Sequence, residues 1–289
     1  MEKISKQHCI YEFAAAAQPV LTVQPGTQVV FETMDCYGNQ ITESSSHQSI
    51  ELNGINPATG PVAIAGAEPG DTLKVTIEQI ELDEVGTVYL RPGSYGVKKF
   101  VEYPEVKRFP VEHNELVFDR SQRIPLRPMI GVIGVSPREG SISTLVPNEY
   151  GGNLDTKEIT TGATVYLPVF QSGANLAIGD LHAVMGDGEV AGCGVEIGGK
   201  VTVTLELIKG KQQALPFVED EQYYYALASH ESLDVAAELA MDGMFHFLQE
   251  QFPHLTSNDL VCLLGERGDL AISQVVNPKK TAKFRFPKR

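Results

Sequence analysis

From Val20 to about Ile208 the chain is a succession of short runs rich in Val, Ile and Thr, each cut off by a cluster of Pro, Gly, Asn or Asp. Runs this short and this β-branched commit most of the chain to strands. Val20 to Val23 leads through Gln24-Pro25-Gly26-Thr27 to Gln28 through Phe31, and Glu68-Pro69-Gly70-Asp71 leads into Thr72 to Ile77. Gly198-Gly199 separates Ala191 to Ile197 from Val201 to Leu207. Pro presets φ and Gly accepts positive φ, so each break is a turn with a physical cause. The expected fold class is mainly β, a β-sandwich or barrel-like body.

That regularity fails in two places. Residues 91–150 carry Arg91-Pro92-Gly93, Phe109-Pro110, Ile124-Pro125 and Ser136-Pro137, and read as a less regular insertion within a mainly β unit spanning 1–210. Inside it, Met129 to Val135 is strand-like, with glycines suited to close approach of a neighbouring backbone. Beyond residue 210 the apolar period becomes 3.6. Ser232 caps a helix carrying Leu233, Ala236, Ala237, Ala240, Met244, Phe247 and Leu248, which Pro253 stops. A second short helix is expected from Ser257 to Leu264, closed by Gly265, before Leu270 to Val276 returns to strand. Residues 211–289 are therefore read as an α/β C-terminal portion.

The densest chemistry lies in Gly179 to Glu189, where Asp180, His182, Asp187 and Glu189 fall within one glycine-punctuated run. Asp180 and His182 are two apart, so on an extended backbone they leave the same face, and Asp187 and Glu189 repeat the relation beyond Gly186. An imidazole among carboxylates suits Zn²⁺, whereas a surplus of oxygen donors suits Ca²⁺ or Mg²⁺. Taken alone, Asp187-Gly188 is an ordinary hairpin dipeptide. Two further polar clusters sit between strands. In the first, Asp35 ends an apolar strand and is followed by Ser44-Ser45-Ser46-His47, Asn53 and Asn56. A carboxylate at that strand end needs exposure, a partner or a ligand. In the second, Gly151-Gly152 can fold sharply and present Asn153 and Asp155 inward. The coincidence of three such clusters makes the 1–210 unit the one expected to hold a metal site.

The remaining composition excludes more than it assigns. In 289 residues, 42% of them hydrophobic, there is enough for a substantial core. A formal charge of −14, relieved only by the short basic tail from Lys279, repels phosphate backbones and argues against nucleic acid. No apolar run is long enough to span a bilayer, and Met1 to His8 lacks a secretory core, which gives a cytoplasmic expectation with no membrane partner. Cys9, Cys36, Cys193 and Cys262 form no CxxC pair and read as free thiols packed as small hydrophobes. Cys36 and Cys193 adjoin the polar clusters but lack the surroundings of an activated nucleophile. Ser44-Ser45-Ser46 has no nearby Lys to make a serine amidase, and the chain has no His-x-His pair of the kind a cupin-like barrel would use.

At these residues the chain resembles the acetamidase/formamidase family. The likeness is carried in order by Asn56-Pro57-Ala58-Thr59-Gly60-Pro61-Val62, Ala67-Glu68-Pro69-Gly70-Asp71, Gly151-Gly152-Asn153-Leu154-Asp155 and Leu167-Pro168-Val169-Phe170. It continues through Gly179-Asp180-Leu181-His182, Gly186-Asp187-Gly188-Glu189 and Ile272 to Pro278. The resemblance implies hydrolysis of a short aliphatic amide, acetamide- or formamide-like, to a carboxylate and ammonia. It also implies a homo-oligomer and a site holding Zn²⁺ and Ca²⁺. Carried onto this chain, it points to Asp35, Asn53, Asp155, Asp180, His182 and Asp187 as metal ligands, with Glu189 and Asp187 as proton carriers. Glu189 is the preferred carrier because its extra methylene gives it reach. Met185 and the modest length are similar to the shorter, acetamidase-like branch. The competing expectations are a hydrolase of another small C–N bond and a non-catalytic β protein stabilised by calcium.

Overall fold

The computed structural model describes residues 1–43, 45, 52–93 and 96–288. Its strands form two large sheets. The first is nine-stranded and antiparallel apart from the parallel pairing of Glu2–Ile4 with Thr27–Thr33. Its centre is the long pair Thr72–Leu82 and Gly199–Ile208, whose alternate residues Leu73, Val75, Ile77, Val201, Val203 and Leu205 are buried. Such alternation of buried and half-exposed positions is what a sheet with one covered face requires. The second sheet has eleven strands, with Leu176–His182 between Met129–Gly134, Glu196–Ile197 and Ala58–Ile64. Leu176–His182, Met129–Gly134 and Ala58–Ile64 are buried along their whole lengths, which places them at the centre of the molecule. Apolar side chains of both sheets make one continuous core.

The mainly β expectation holds, and several boundaries move. Leu21–Val23 and Thr27–Thr33 do not form a hairpin. The former pairs in parallel with Ala58–Ile64 in the second sheet, and the latter joins the first. Only Glu196–Ile197 of the expected Ala191 to Ile197 strand is extended, and Gly198 carries the chain from one sheet to the other. Within 91–150, residues 105–125 extend one edge of the second sheet, whereas Met129–Gly134 is a central strand because every residue in it is small or apolar.

Residues 211–289 add Phe217–Glu219, Tyr223–His230, Asp269–Gln274 and Lys280–Pro287 to the edge of the first sheet. Helix α1 (Leu233–Gln251) is capped by Ser232 and buries Ala236, Ala240, Met244 and Leu248 against Ala226, Ala228, Ala282 and Phe284. The small side chains let helix and sheet approach closely. Helix α2 (Ser257–Arg267) runs past Gly265 and ends at Gly268; Thr256 and Asp259 form a reciprocal capping box at its start. Among the described residues no helix is long and apolar enough to cross a membrane.

Candidate active site

Strand Leu176–His182 supplies Asp180 and His182, and Glu196 lies directly opposite His182 on the neighbouring strand. Asp155 follows Gly151–Asn153, its backbone N–H bonded to Gly131 O at 3.2 Å. Glu189 arrives from the loop after the strand, which is tied down because Gly188 N–H donates to the carbonyls of Ile272 and Ser273 at 3.0 and 2.9 Å. These five side chains are buried, none more than 6% exposed. One ligand-capable atom each from Asp155, His182 and Glu189 lies within 4.8 Å of the others, and the same holds for Cys36, Asp180 and Glu196.

The backbone is bent to make this convergence. Asn56, Asp155, Asp180 and Glu189 all take positive φ, between 41° and 56°. Non-glycine residues in that region cost on the order of 1–3 kcal/mol each and persist where their surroundings over-determine them. Two glycines make the room. A Cβ on Gly131 would stand 2.5 Å from Asp155 Oδ1 and 2.7 Å from Asp180 Oδ2, and one on Gly194 would stand 2.5 Å from His182 Cγ. Gly131→Ala should therefore push the carboxylates apart, lowering stability by about 1–3 kcal/mol and activity with it. Denaturant melts and turnover of that variant check this, and wild-type values in both would show that the carboxylates do not depend on the gap.

The imidazole sits among the acids. His182 Nε2 is 3.2 Å from Glu196 Oε1, 3.6 Å from Asp180 Oδ1 and 3.8 Å from Asp155 Oδ1. Even so, both ring nitrogens lack an aligned hydrogen bond, as do Asp155 Oδ1, Asp180 Oδ1, Glu189 Oε2, Glu196 Oε2 and Asn153 Oδ1. Their other polar atoms are held: Asn277 Nδ2 donates to Asp155 Oδ2 at 2.6 Å, and Asn56 Nδ2 to Asp180 Oδ2 at 2.9 Å. Buried polar atoms are ordinarily paired, so a cluster of unpaired oxygens and nitrogens facing one another marks a place for a ligand. Among the described residues the ion pairs of these carboxylates are with His182 alone. Several buried acids and one imidazole need more positive charge, or protons, to be tolerated.

Protons are what the isolated chain uses. Burial, then the neighbouring Asp180, raises Asp155 to about 6, and burial raises Glu196 to about 8. Burial and Asp155 push Glu189 well above its ordinary value. For His182 burial alone would favour the neutral ring, but Glu196 and Asp180 override it and hold the pKa well above normal. Unfolded carboxylates titrate near 4 and histidine near 6.5. Between about 4 and 8 the folded chain thus holds protons that the unfolded chain has lost, and stability falls as pH rises through that window. The His182 contribution has the same sign, being present below about 6.5 and lost as pH climbs through its raised folded value. Chelator-treated protein should melt lower at pH 8 than at pH 5.5, and Glu196→Gln should flatten the slope. A melting temperature that is level or rising over that range would contradict these assignments.

The sequence profile of the acetamidase/formamidase family matches residues 4–140 and 135–232. The crystal structure of an acetamidase from Bacillus halodurans is 41% identical, covers 99% of this chain and 97% of that one, and has a TM-score of 0.95. The chain belongs to the acetamidase/formamidase family. A putative formamidase of Schizosaccharomyces pombe is 29% identical, over 65% of this chain and 61% of that protein. An acetamidase of Mycolicibacterium smegmatis is 26% identical, over 65% and 63%. The chain thus spans little more than three-fifths of the length of these two relatives.

Of the residues that the family resemblance suggested, the fold brings Asp155, Asp180, His182 and Glu189 together. Asp180 and His182 converge, although Asp180 is not extended. Asp187 is elsewhere: positive φ at Gly188 and Glu189 turns it away from Glu189, and it pairs with Lys157 at 2.8 Å and Lys283 at 2.6 Å. Against a burial penalty those two ammonium groups hold its pKa below the usual carboxylate range, which suits an anchor for the loop and not a proton carrier. Asn53 is also misplaced. It is exposed, with its N–H on Gln40 Oε1, and Asn56 three residues on reaches the cluster instead. Asp35 lies beside the cluster, accepting from Asn39 N–H at 2.6 Å, and burial raises its pKa. It lines a surface cleft of ≈ 600 Å³ together with Arg108 and Thr87, the residue opposite Glu196 in the sheet. Ser44, Ser46 and His47 fall outside the described residues.

Glu196 is the member that sequence reasoning passed over; Asn56 and Cys36 were placed in or beside a polar cluster without a site role, and Asn277 only within the Ile272 to Pro278 match. Glu196 had a signal, a lone acid between Val195 and Ile197 in a strand flanked by glycines. Asn277 lies beyond the matched residues 4–232 and is close to Asp155 only through the fold.

Proposed function

We propose that this chain is a metal-dependent amidohydrolase that cleaves a short aliphatic amide, acetamide- or formamide-like, to a carboxylate and ammonia. The observation that carries the reading is the set of buried, unpartnered oxygens and nitrogens of Asp155, Asp180, His182, Glu189 and Glu196 facing one another. A nitrogen donor with several carboxylates fits a divalent cation of the zinc type, and the excess of oxygen donors also suits calcium. Asp155, Asp180, His182 and Glu196 are the residues that would hold it. When bound, such an ion supplies Lewis-acid catalysis, polarising a carbonyl and making water more acidic.

The rest of the work falls to the chain. Asn56 and Asn277 hold one oxygen each of Asp180 and Asp155, leaving the other oxygen of each aimed into the cluster. Glu189 is the proton carrier, taking a proton from water and returning it to the departing nitrogen. Burial and the neighbouring Asp155 raise its pKa well above the ordinary carboxylate value, the direction that a group which must also donate a proton requires. Asn153 Oδ1, buried and without a donor, is an acceptor suited to the N–H of a small amide. Burial of the whole set excludes bulk water and strengthens each electrostatic interaction. Homo-oligomeric assembly and a cytoplasmic location belong to the same reading.

Ammonia and carboxylate release from formamide, acetamide and propionamide tests it. Turnover of at least one, dependent on added divalent cation, is the expected result. Absence of release with every amide, despite stoichiometric bound ion, would favour the calcium-stabilised binding protein.

A further inference from the structure

Cys36 stands in the turn three residues beyond strand Thr27–Thr33, immediately after Asp35, and is buried. One side of it packs on Tyr37, Ile41 and Tyr89. On the other side its Sγ lies within 4.8 Å of a carboxylate oxygen of Asp180 and one of Glu196. Those two acids are 2% exposed, and Asp180 Oδ1 and Glu196 Oε2 have no hydrogen-bond partner. Its backbone is fixed to the same machinery: Cys36 O accepts Asn56 N–H at 2.7 Å, and the Asn56 side chain orients Asp180. A cysteine used only as a small hydrophobe has no reason to be pinned against two buried carboxylates that each keep one oxygen without a hydrogen-bond partner. A nucleophilic cysteine needs a neighbouring positive charge or base, and the groups facing this one are acids.

We infer that Cys36 is a sulfur ligand of the centre, which together with Asp180 and Glu196 selects a thiophilic ion of the zinc class at that position. The inference rests on the metal-dependent reading above. Binding replaces the S–H bond by a sulfur–metal bond, and the proton leaves to solvent, so the thiolate charge is offset by the dication. Calcium takes oxygen ligands and does not compete for such a position, whereas thiolate with carboxylate and imidazole suits zinc and cobalt.

The test uses the full chain stripped by chelator and reloaded with Co²⁺, with bound cobalt measured by elemental analysis. The expected result is an intense sulfur-to-cobalt charge-transfer band in the near ultraviolet, lost in Cys36→Ser and retained in Cys193→Ser. Bound cobalt without that band would overturn the sulfur ligand and leave the metal centre standing. A band that survives in Cys36→Ser, or is lost in Cys193→Ser alone, would overturn it too. Failure to bind cobalt at all would remove the metal reading and the ligand together. X-ray absorption of the zinc-loaded wild-type protein needs no variant. It should show a sulfur shell at about 2.3 Å, and a shell of oxygen and nitrogen alone would overturn the proposal.

Discussion

Glu189→Gln should lower kcat by about 10²- to 10⁴-fold, the usual contribution of a positioned general acid–base, while leaving the fold and the bound ion in place. Gln keeps the volume and one oxygen of the buried side chain, so packing around the loop is unchanged. What disappears is the titratable proton. The loop itself is held independently, by Gly188 on Ile272 and Ser273 and by Asp187 on Lys157 and Lys283. A purely structural role for Glu189 would show as a lowered melting temperature. The account instead predicts a melting temperature and metal content close to wild type with a pH profile that loses one limb. Undiminished hydrolysis by this variant would remove Glu189 from the mechanism.

His182→Ala should lose the ion, and activity with it. Among the described residues the imidazole is the one nitrogen donor in the cluster, and it is the partner of Asp155, Asp180 and Glu196. Removing an outer-shell partner of a metal commonly costs 10- to 100-fold in affinity, and removing a ligand should exceed that. The apo variant should also be destabilised, since breaking a buried charge pair costs about 3–5 kcal/mol. Part of this is recovered at low pH, where the acids are protonated. Metal content measured after gel filtration checks the first claim, and melts at pH 5.5 and 8 check the second. Full occupancy in His182→Ala would take the histidine out of the ligand set.

How far the sequence carried is clearest at particular residues. The strand-rich class followed from run length and turn chemistry, and α1 from its 3.6-residue period and Ser232 cap, because these signals are local. The partners of each strand were hidden, since pairing such as Leu21–Val23 with Ala58–Ile64 depends on a core that no single run encodes. At the site, Asp180 and His182 were legible as a spacing of two within a glycine-bounded run. Asp187 shared that spacing with Glu189 and was misplaced, because positive φ at Gly188 and Glu189 breaks the alternation on which the argument depended. Lys283, 2% exposed and bonded to both Glu158 and Asp187, was invisible for a different reason: it is 96 residues from Asp187 in the chain. Asn277 reaches Asp155 across 122 residues in the same way. Both come from the C-terminal portion, which reads as a separate α/β element in sequence and in the fold buttresses the acids.

The most direct measurement follows ammonia release from a short amide while the chelated protein is titrated with Zn²⁺, with bound metal determined at each point. The account predicts no release from the metal-free protein and a rate that rises in proportion to bound zinc up to saturation of the site. Full-rate release from protein shown to be free of metal would contradict it.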